Sequence, residues 1–122
     1  MSKTIALVIG LVFLVIGVLG LIPNPIIGDN SYFQADMGHT IIHLITGLIF
    51  LIIISKAPFL SSMAMKVFGV VYLIIAILGF YVGDGELLGF IGTNTHDNWL
   101  HIILGIIIFI AGLTANDHSV QM

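Results

Sequence analysis

Residues 9–21 read I-G-L-V-F-L-V-I-G-V-L-G-L, and residues 68–80 answer with F-G-V-V-Y-L-I-I-A-I-L-G-F. Gly10, Gly17 and Gly20 thereby fall on Gly69, Ala76 and Gly79. Further along, His43-L-I-T-Gly47 returns as His101-I-I-L-Gly105. The second half of the chain repeats the first, and the repeating unit is a hairpin of two long apolar helices. This pattern predicts an all-α integral membrane protein: four transmembrane helices, built as two tandem hairpins related by a parallel pseudo-twofold along the membrane normal.

Composition points the same way. Of 122 residues, 59% are hydrophobic and 7% charged, against roughly a quarter charged in soluble domains. The candidate spans are 4–22, about 38–55, about 63–82 and about 98–115. At ~1.5 Å per residue, each covers most or all of a ~30 Å hydrocarbon layer. Residues 1–122 are therefore expected to form one transmembrane domain, with repeat 1 at about 4–55 and repeat 2 at about 63–115. The first span follows Met1-Ser2-Lys3, but it exceeds the ~7–15 apolar residues of a signal peptide and no A-x-A-like site follows it, so it is expected to stay as a helix.

The only cations are Lys3, Lys56 and Lys66, at the N-terminus and the middle loop. Under the positive-inside rule these regions and the C-terminus are expected to be cytoplasmic; the membrane itself is expected to be a bacterial inner one. Asp29, Asp36, Asp84, Glu86 and Asp97 then lie in or beside the two outer loops. A net charge of −3 without a basic cluster argues against nucleic acid as a partner. The absence of cysteine removes disulfides, iron–sulfur clusters and thiolate sites, and no C-x-x-C-H motif could attach haem covalently.

Pro23-Asn24-Pro25, Ala57-Pro58 and Gly83-Asp84-Gly85 punctuate the spans. Tyr32, Phe33, Tyr81 and Trp99 suit an interfacial aromatic belt, and 87–91 is apolar enough to lie along the membrane surface. Phe13, Phe50, Tyr72, Phe80 and Phe109 are expected in packing or lipid contacts. Gly10, Gly17, Gly47, Gly69, Gly105 and Gly112 mark faces where helix backbones can approach closely.

The rare polar groups gather at the outer ends of the second and fourth spans. With an offset of 58, Asp36 aligns with Asn94, His39 with Asp97, Thr40 with Asn98, and His43 with His101. Residues four apart share a helical face, so His39, His43 and Gly47 form one stripe, and Asp97, His101 and Gly105 its counterpart. A duplicated hairpin predicts a cluster of His39, Thr40, His43, Asp97, Asn98 and His101 between these helices.

Three readings suit the cluster. Asp36-x-x-His39 and Asn94-x-x-Asp97 resemble helix caps, with His43 and His101 held neutral by Thr40, Asp97 or Asn98 as polar links between helices. Alternatively, His43 and His101 could ligate haem, with Gly47 and Gly105 leaving room for its ring. A divalent metal such as Zn, Mn or Fe could be held by His39, His43, Asp97 and His101. A proton path is poorly supported, since the inner halves of both helices are Leu, Ile, Phe and Gly. No serine has a His/Asp partner for hydrolysis by spacing. His96 is expected at the interface and His118 in a frayed polar tail at 116–122.

At His39-Thr40-I-I-His43-L-I-T-Gly47 and Asp97-Asn98-W-L-His101-I-I-L-Gly105 the chain resembles a family of small bacterial four-span membrane proteins catalogued as a domain of unknown function. The family patterns are H-N-x-x-H-x-x-x-G-like and D-N-x-x-H-x-x-x-G, and Thr40 departs from the first. The resemblance implies the four-span fold and marks the same residues, and it implies no reaction. No catalytic residue is assigned. The sequence is read as a small non-enzymatic component of a membrane assembly, in contact with the lipid bilayer and with other subunits or copies of itself. No cofactor is predicted on this reading, and the haem- or metal-binding protein is its alternative.

Overall fold

The computed structural model describes residues 2–115. Four helices dominate it: α1 (Ser2–Leu21), α2 (Met37–Lys56), α3 (Ser61–Val82) and α4 (Thr95–Thr114). All four are long and apolar enough to cross a membrane. His118 and the tail at 116–122 lie outside the described residues.

Each helix ends where its sequence stops supplying hydrogen-bond partners. After Leu21 the prolines prevent continuation, and Asn24 collects the loose ends. Its Nδ2 donates to the carbonyls of Leu19 at 2.7 Å and Ile27 at 2.8 Å, while its Oδ1 accepts from the amides of Ile26 and Ile27. At the start of α2, Asp36 Oδ1 accepts from the His39 amide at 2.9 Å. At the start of α4, Asn94 Oδ1 accepts from the Asp97 amide at the same distance. Both are helix caps, each satisfying an orphan amide. Between α2 and α3 the chain turns through a short 3₁₀ segment, Pro58–Leu60. Gly83 ends α3 with a φ of 77° that suits glycine.

The α1–α2 and α3–α4 connections carry two small sheets. Strands β1 (Ile27–Gly28) and β2 (Phe33–Gln34) pair in parallel, and β3 (Gly85–Leu87) pairs antiparallel with β4 (Ile91–Thr93). The segment 87–91, expected along the membrane surface, forms the tip of this hairpin. Leu87 and Ile91 face each other across the ladder and are buried, while Leu88 and Phe90 are exposed. Strand pairing satisfies backbone groups that a flat apolar segment would leave open, and alternation turns every second side chain outward.

Helix α1 packs antiparallel on α2, and α3 on α4, with contacts in the two hairpins that correspond. A methyl group built on Gly10 would come within 2.9 Å of Phe50 Cβ, and one on Gly69 within 2.7 Å of Phe109 Cβ. From the facing helices, a methyl on Gly47 would stand 2.9 Å from the Gly10 carbonyl oxygen, and one on Gly105 would stand 3.0 Å from that of Gly69. Gly17 closes on Leu44, and Gly112 on Lys66 and the Ser62 carbonyl. In lipid, where tails are as apolar as leucine, such close approach replaces the hydrophobic effect as the packing force. Between the hairpins, Phe13, Phe50, Met65, Tyr72 and Ile108 form the buried centre. The aligned residues Phe13 and Tyr72 touch there, with ring centroids 5.0 Å apart. The remaining faces carry exposed Val, Leu and Ile, suited to lipid.

Candidate functional site

The N-terminal ends of α2 and α4 meet at the loop end of the bundle, tied by a chain of hydrogen bonds. Asp36 Oδ2 accepts from the Gly92 amide at 3.0 Å, and the Gly92 carbonyl accepts from Nδ1 of His39 at 2.8 Å. Asn94 Nδ2 donates to the Tyr32 carbonyl at 3.0 Å, and the exposed His96 stacks on Tyr32 at a centroid distance of 4.0 Å. Thus each hairpin's loop is fastened to the other hairpin. Above this floor lies an open cavity of about 510 Å³ whose lining includes Asp29, Asp36, Asp84 and Glu86.

Below it, His39, His43 and His101 come together. Each ring can offer one donor atom such that the three lie within 4.8 Å of one another, and all three side chains are buried. Ring centroids stand 4.4 Å apart for His39–His43, 5.1 Å for His39–His101 and 6.1 Å for His43–His101. Asp97 approaches the same cluster, its Oδ2 at 3.3 Å from His101 Nδ1 and 3.8 Å from His39 Nδ1. These are electrostatic contacts, since neither Asp97 Oδ2 nor His101 Nδ1 meets hydrogen-bond geometry.

The partners constrain where the protons sit. A carbonyl can only accept, so His39 carries its proton on Nδ1 and offers the lone pair of Nε2. A carboxylate beside Nδ1 of His101 favours the proton there, which leaves that ring's Nε2 lone pair free as well. These two Nε2 atoms face each other at 3.4 Å. In that tautomer two lone pairs converge and repel unless a cation lies between them; with the His101 proton on Nε2 the same contact is a hydrogen bond to His39. That alternative tautomer leaves an unprotonated Nδ1 of His101 3.3 Å from the Asp97 carboxylate, a less favourable electrostatic contact. Nitrogens ~2.0–2.1 Å from a tetrahedral zinc stand roughly 3.3–3.4 Å apart, so the pair already has the spacing of two ligands. His43 contributes a third ring whose Nδ1 has no hydrogen-bond partner.

Two of the six residues expected in this cluster also pack within their own hairpins. Thr40 packs against Gly20 of α1, and Asn98 against Gly79 of α3. Both are fully buried, on the faces that their helices turn to α1 and α3. Helical geometry contributes: 40 and 98 stand about 100° round the helix from 39 and 97, and about 60° from 43 and 101. Glycine on the neighbouring helix then opens the space each one occupies. The room expected beside Gly47 and Gly105 is also taken. Leu14 fills it at Gly47, and Leu73 fills it at Gly105.

Sequence reasoning treated Tyr72 as packing alone. Its hydroxyl lies 2.9 Å from Thr46 Oγ1. Because Thr46 spends its own proton on the Ile42 carbonyl at 2.8 Å, the tyrosine is the donor. Its ring lies 5.4 Å from His101. The signal available was modest: tyrosine stands at the place of Phe13 in the repeat, and a hydroxyl inside a span requires a partner. The Gly92 carbonyl had no signal at all, because every residue has one.

Residues 3–114 match a family described as a domain of unknown function, DUF4383. The chain belongs to that family. No curated protein and no solved structure matches it. The match to DUF4383 runs across all four helices and includes every residue of the histidine cluster. In this DUF4383 chain the arrangement can bind a cation through imidazole nitrogens, or bind a proton in the same place as a shared imidazolium.

Proposed function

We propose that this membrane protein holds one divalent transition metal in a buried site formed by His39, His43 and His101. The observation that carries the reading is the approach of the two Nε2 atoms to 3.4 Å, with His39 Nδ1 bonded to the Gly92 carbonyl and Asp97 Oδ2 3.3 Å from His101 Nδ1. Imidazole ligands suit Zn, Fe and neighbouring metals. Charge supports a dication: Asp97 adjoins the rings, Asp36 is joined to His39 through Gly92, and all three lysines stand at the opposite ends of their helices. The carboxylates around the outer cavity give a cation an attractive approach. Donor atoms within 4.8 Å of one another, with Leu14 and Leu73 closing the space deeper in, favour a single ion over a haem.

The wider role that fits is a small non-enzymatic accessory component of a bacterial inner-membrane assembly, with both termini cytoplasmic. Support comes from the lysines at one end of the bundle, the carboxylates at the other, and the apolar outer faces of the helices. One preparation tests both statements. The full chain is extracted gently, dialysed against Zn²⁺ and analysed for metal. One zinc per chain is expected, lost in His39→Ala and His101→Ala with helix content unchanged, and retained in His96→Ala. Zinc absent from the wild type, or unaffected by both cluster variants, overturns the metal site and leaves the shared proton as the explanation of the pair. Recovery solely as a monodisperse monomer overturns the assembly role, and a defined oligomer or co-purifying membrane subunit supports it.

A further inference from the structure

The geometry points to an open coordination position: the metal held by His39, His43 and His101 keeps its fourth site for water or a small anion, and Asp97 is a positioning residue that orients the ligands without joining them. This rests on the metal site proposed above.

The two ring edges decide it. Asp97 Oδ2 stands at the Nδ1 edges, 3.3 Å from that atom of His101 and 3.8 Å from that of His39. The Nε2 atoms meet each other at 3.4 Å on the other side of the same rings. An ion between the Nε2 atoms is therefore screened from the carboxylate by imidazole. Asp97 thus occupies the place of the outer carboxylate in a carboxylate–histidine–metal triad, where such a group, once bonded to the ligand's N–H, sets the tautomer and raises the basicity of the ligand. The Gly92 carbonyl does the same for His39. Asp97 is 2% exposed and its Oδ2 has no hydrogen-bond partner, so its negative charge is directed at these rings.

Thr40 and Asn98 are packed against Gly20 and Gly79, with Thr40 Oγ1 and Asn98 Oδ1 lacking hydrogen-bond partners. The Tyr72 hydroxyl is given to Thr46 at 2.9 Å, and His96 is outside, stacked on Tyr32. Among the described residues, the group of His, Cys, Asp or Glu donors within mutual reach consists of the three histidines. A metal with three protein nitrogens and no fourth side chain follows the plan of sites that exchange water or substrate; closed structural sites have four protein ligands. Three neutral imidazoles leave the full charge on the ion, so the ligand class is a small Lewis base: water, hydroxide or a compact anion.

Cobalt(II) substitution with azide as the probe tests this in the full chain in detergent. The wild type should show the intense visible bands of four-coordinate Co²⁺, and azide should shift them saturably. Asp97→Asn should bind Co²⁺ about 10–100-fold more weakly, with the same bands and the same azide response. A wild-type cobalt spectrum unmoved by azide overturns the open position. A changed ligand field in Asp97→Asn at saturating cobalt overturns the positioning role, because a ligand has then been exchanged. If Asp97→Asn fails to fold by helix content, the azide result on the wild type still decides the open position. Failure of the wild type to take up any cobalt or zinc overturns the metal reading itself, and is distinct from cobalt uptake without an azide response.

Discussion

The glycine contacts make a ranked prediction. At Gly69 a methyl carbon would stand 2.7 Å from both Cβ and the amide nitrogen of Phe109 and 2.8 Å from its Cα. Carbon atoms in contact prefer ~3.5–4.0 Å, so Gly69→Ala requires α3 and α4 to separate by about 1 Å. Because the obstacle is backbone, no change of rotamer relieves it, and overpacking should cost near the top of the usual range, about 3 kcal/mol. Alanine's better helix propensity returns about 1 kcal/mol. The expected net loss is about 2 kcal/mol, roughly a thirtyfold shift in the unfolding equilibrium. At Gly10 the nearest atoms are Phe50 Cβ at 2.9 Å and the Gly47 carbonyl oxygen at 3.4 Å. One close contact in place of three should leave a net cost of about 1 kcal/mol or less. Gly85 is the control: its methyl would meet only Val82 Cγ1 at 3.6 Å, and Gly85→Ala should stay within about 0.5 kcal/mol of wild type. Unfolding by SDS titration in mixed micelles, followed by helix content, measures all three. Equal stability of Gly69→Ala and Gly85→Ala, or a larger loss at Gly10 than at Gly69, refutes the packing argument.

Asp36 has two tasks that two variants separate. Asp36→Ala loses the cap on the His39 amide, about 0.5–2 kcal/mol, and leaves the Gly92 amide without its acceptor, about 1–3 kcal/mol more; Asp36→Ser should keep the first and lose the second, and equal losses in the two variants would show that the Gly92 tie has no weight. Tyr72→Phe removes the hydroxyl given to Thr46 while Thr46 keeps its bond to the Ile42 carbonyl. The expected loss is about 0.5–1.5 kcal/mol with zinc stoichiometry unchanged, checked by the same titration and by metal analysis; loss of the metal in this variant would make Tyr72 part of the site.

Legibility differed by level. The four helices could be read from apolar length, and their ends from Pro23, Pro58, Gly83 and the capping positions 36 and 94. The repeat singled out His39, His43, Asp97 and His101 because equivalent positions of two packed hairpins become neighbours. The loop hairpin at 85–93 was missed, since its apolar residues carry a surface-seeking signal while its backbone pairing carries none. That Thr40 and Asn98 also pack against Gly20 and Gly79 was not legible, because polarity along one helix says nothing of the glycine on its neighbour.

Composition and periodicity by themselves determined a membrane-spanning bundle of four helices, since apolar length and hydrogen-bond punctuation are local properties of the chain. Which edge of His39 meets an acceptor depended on groups far apart in sequence, the Gly92 carbonyl and Asp97, while Asp97 reaches His101 from one turn away on α4. Only the packing of one hairpin on the other could turn Nε2 of His39 toward Nε2 of His101, because the direction of a lone pair is set by what the rest of the ring touches.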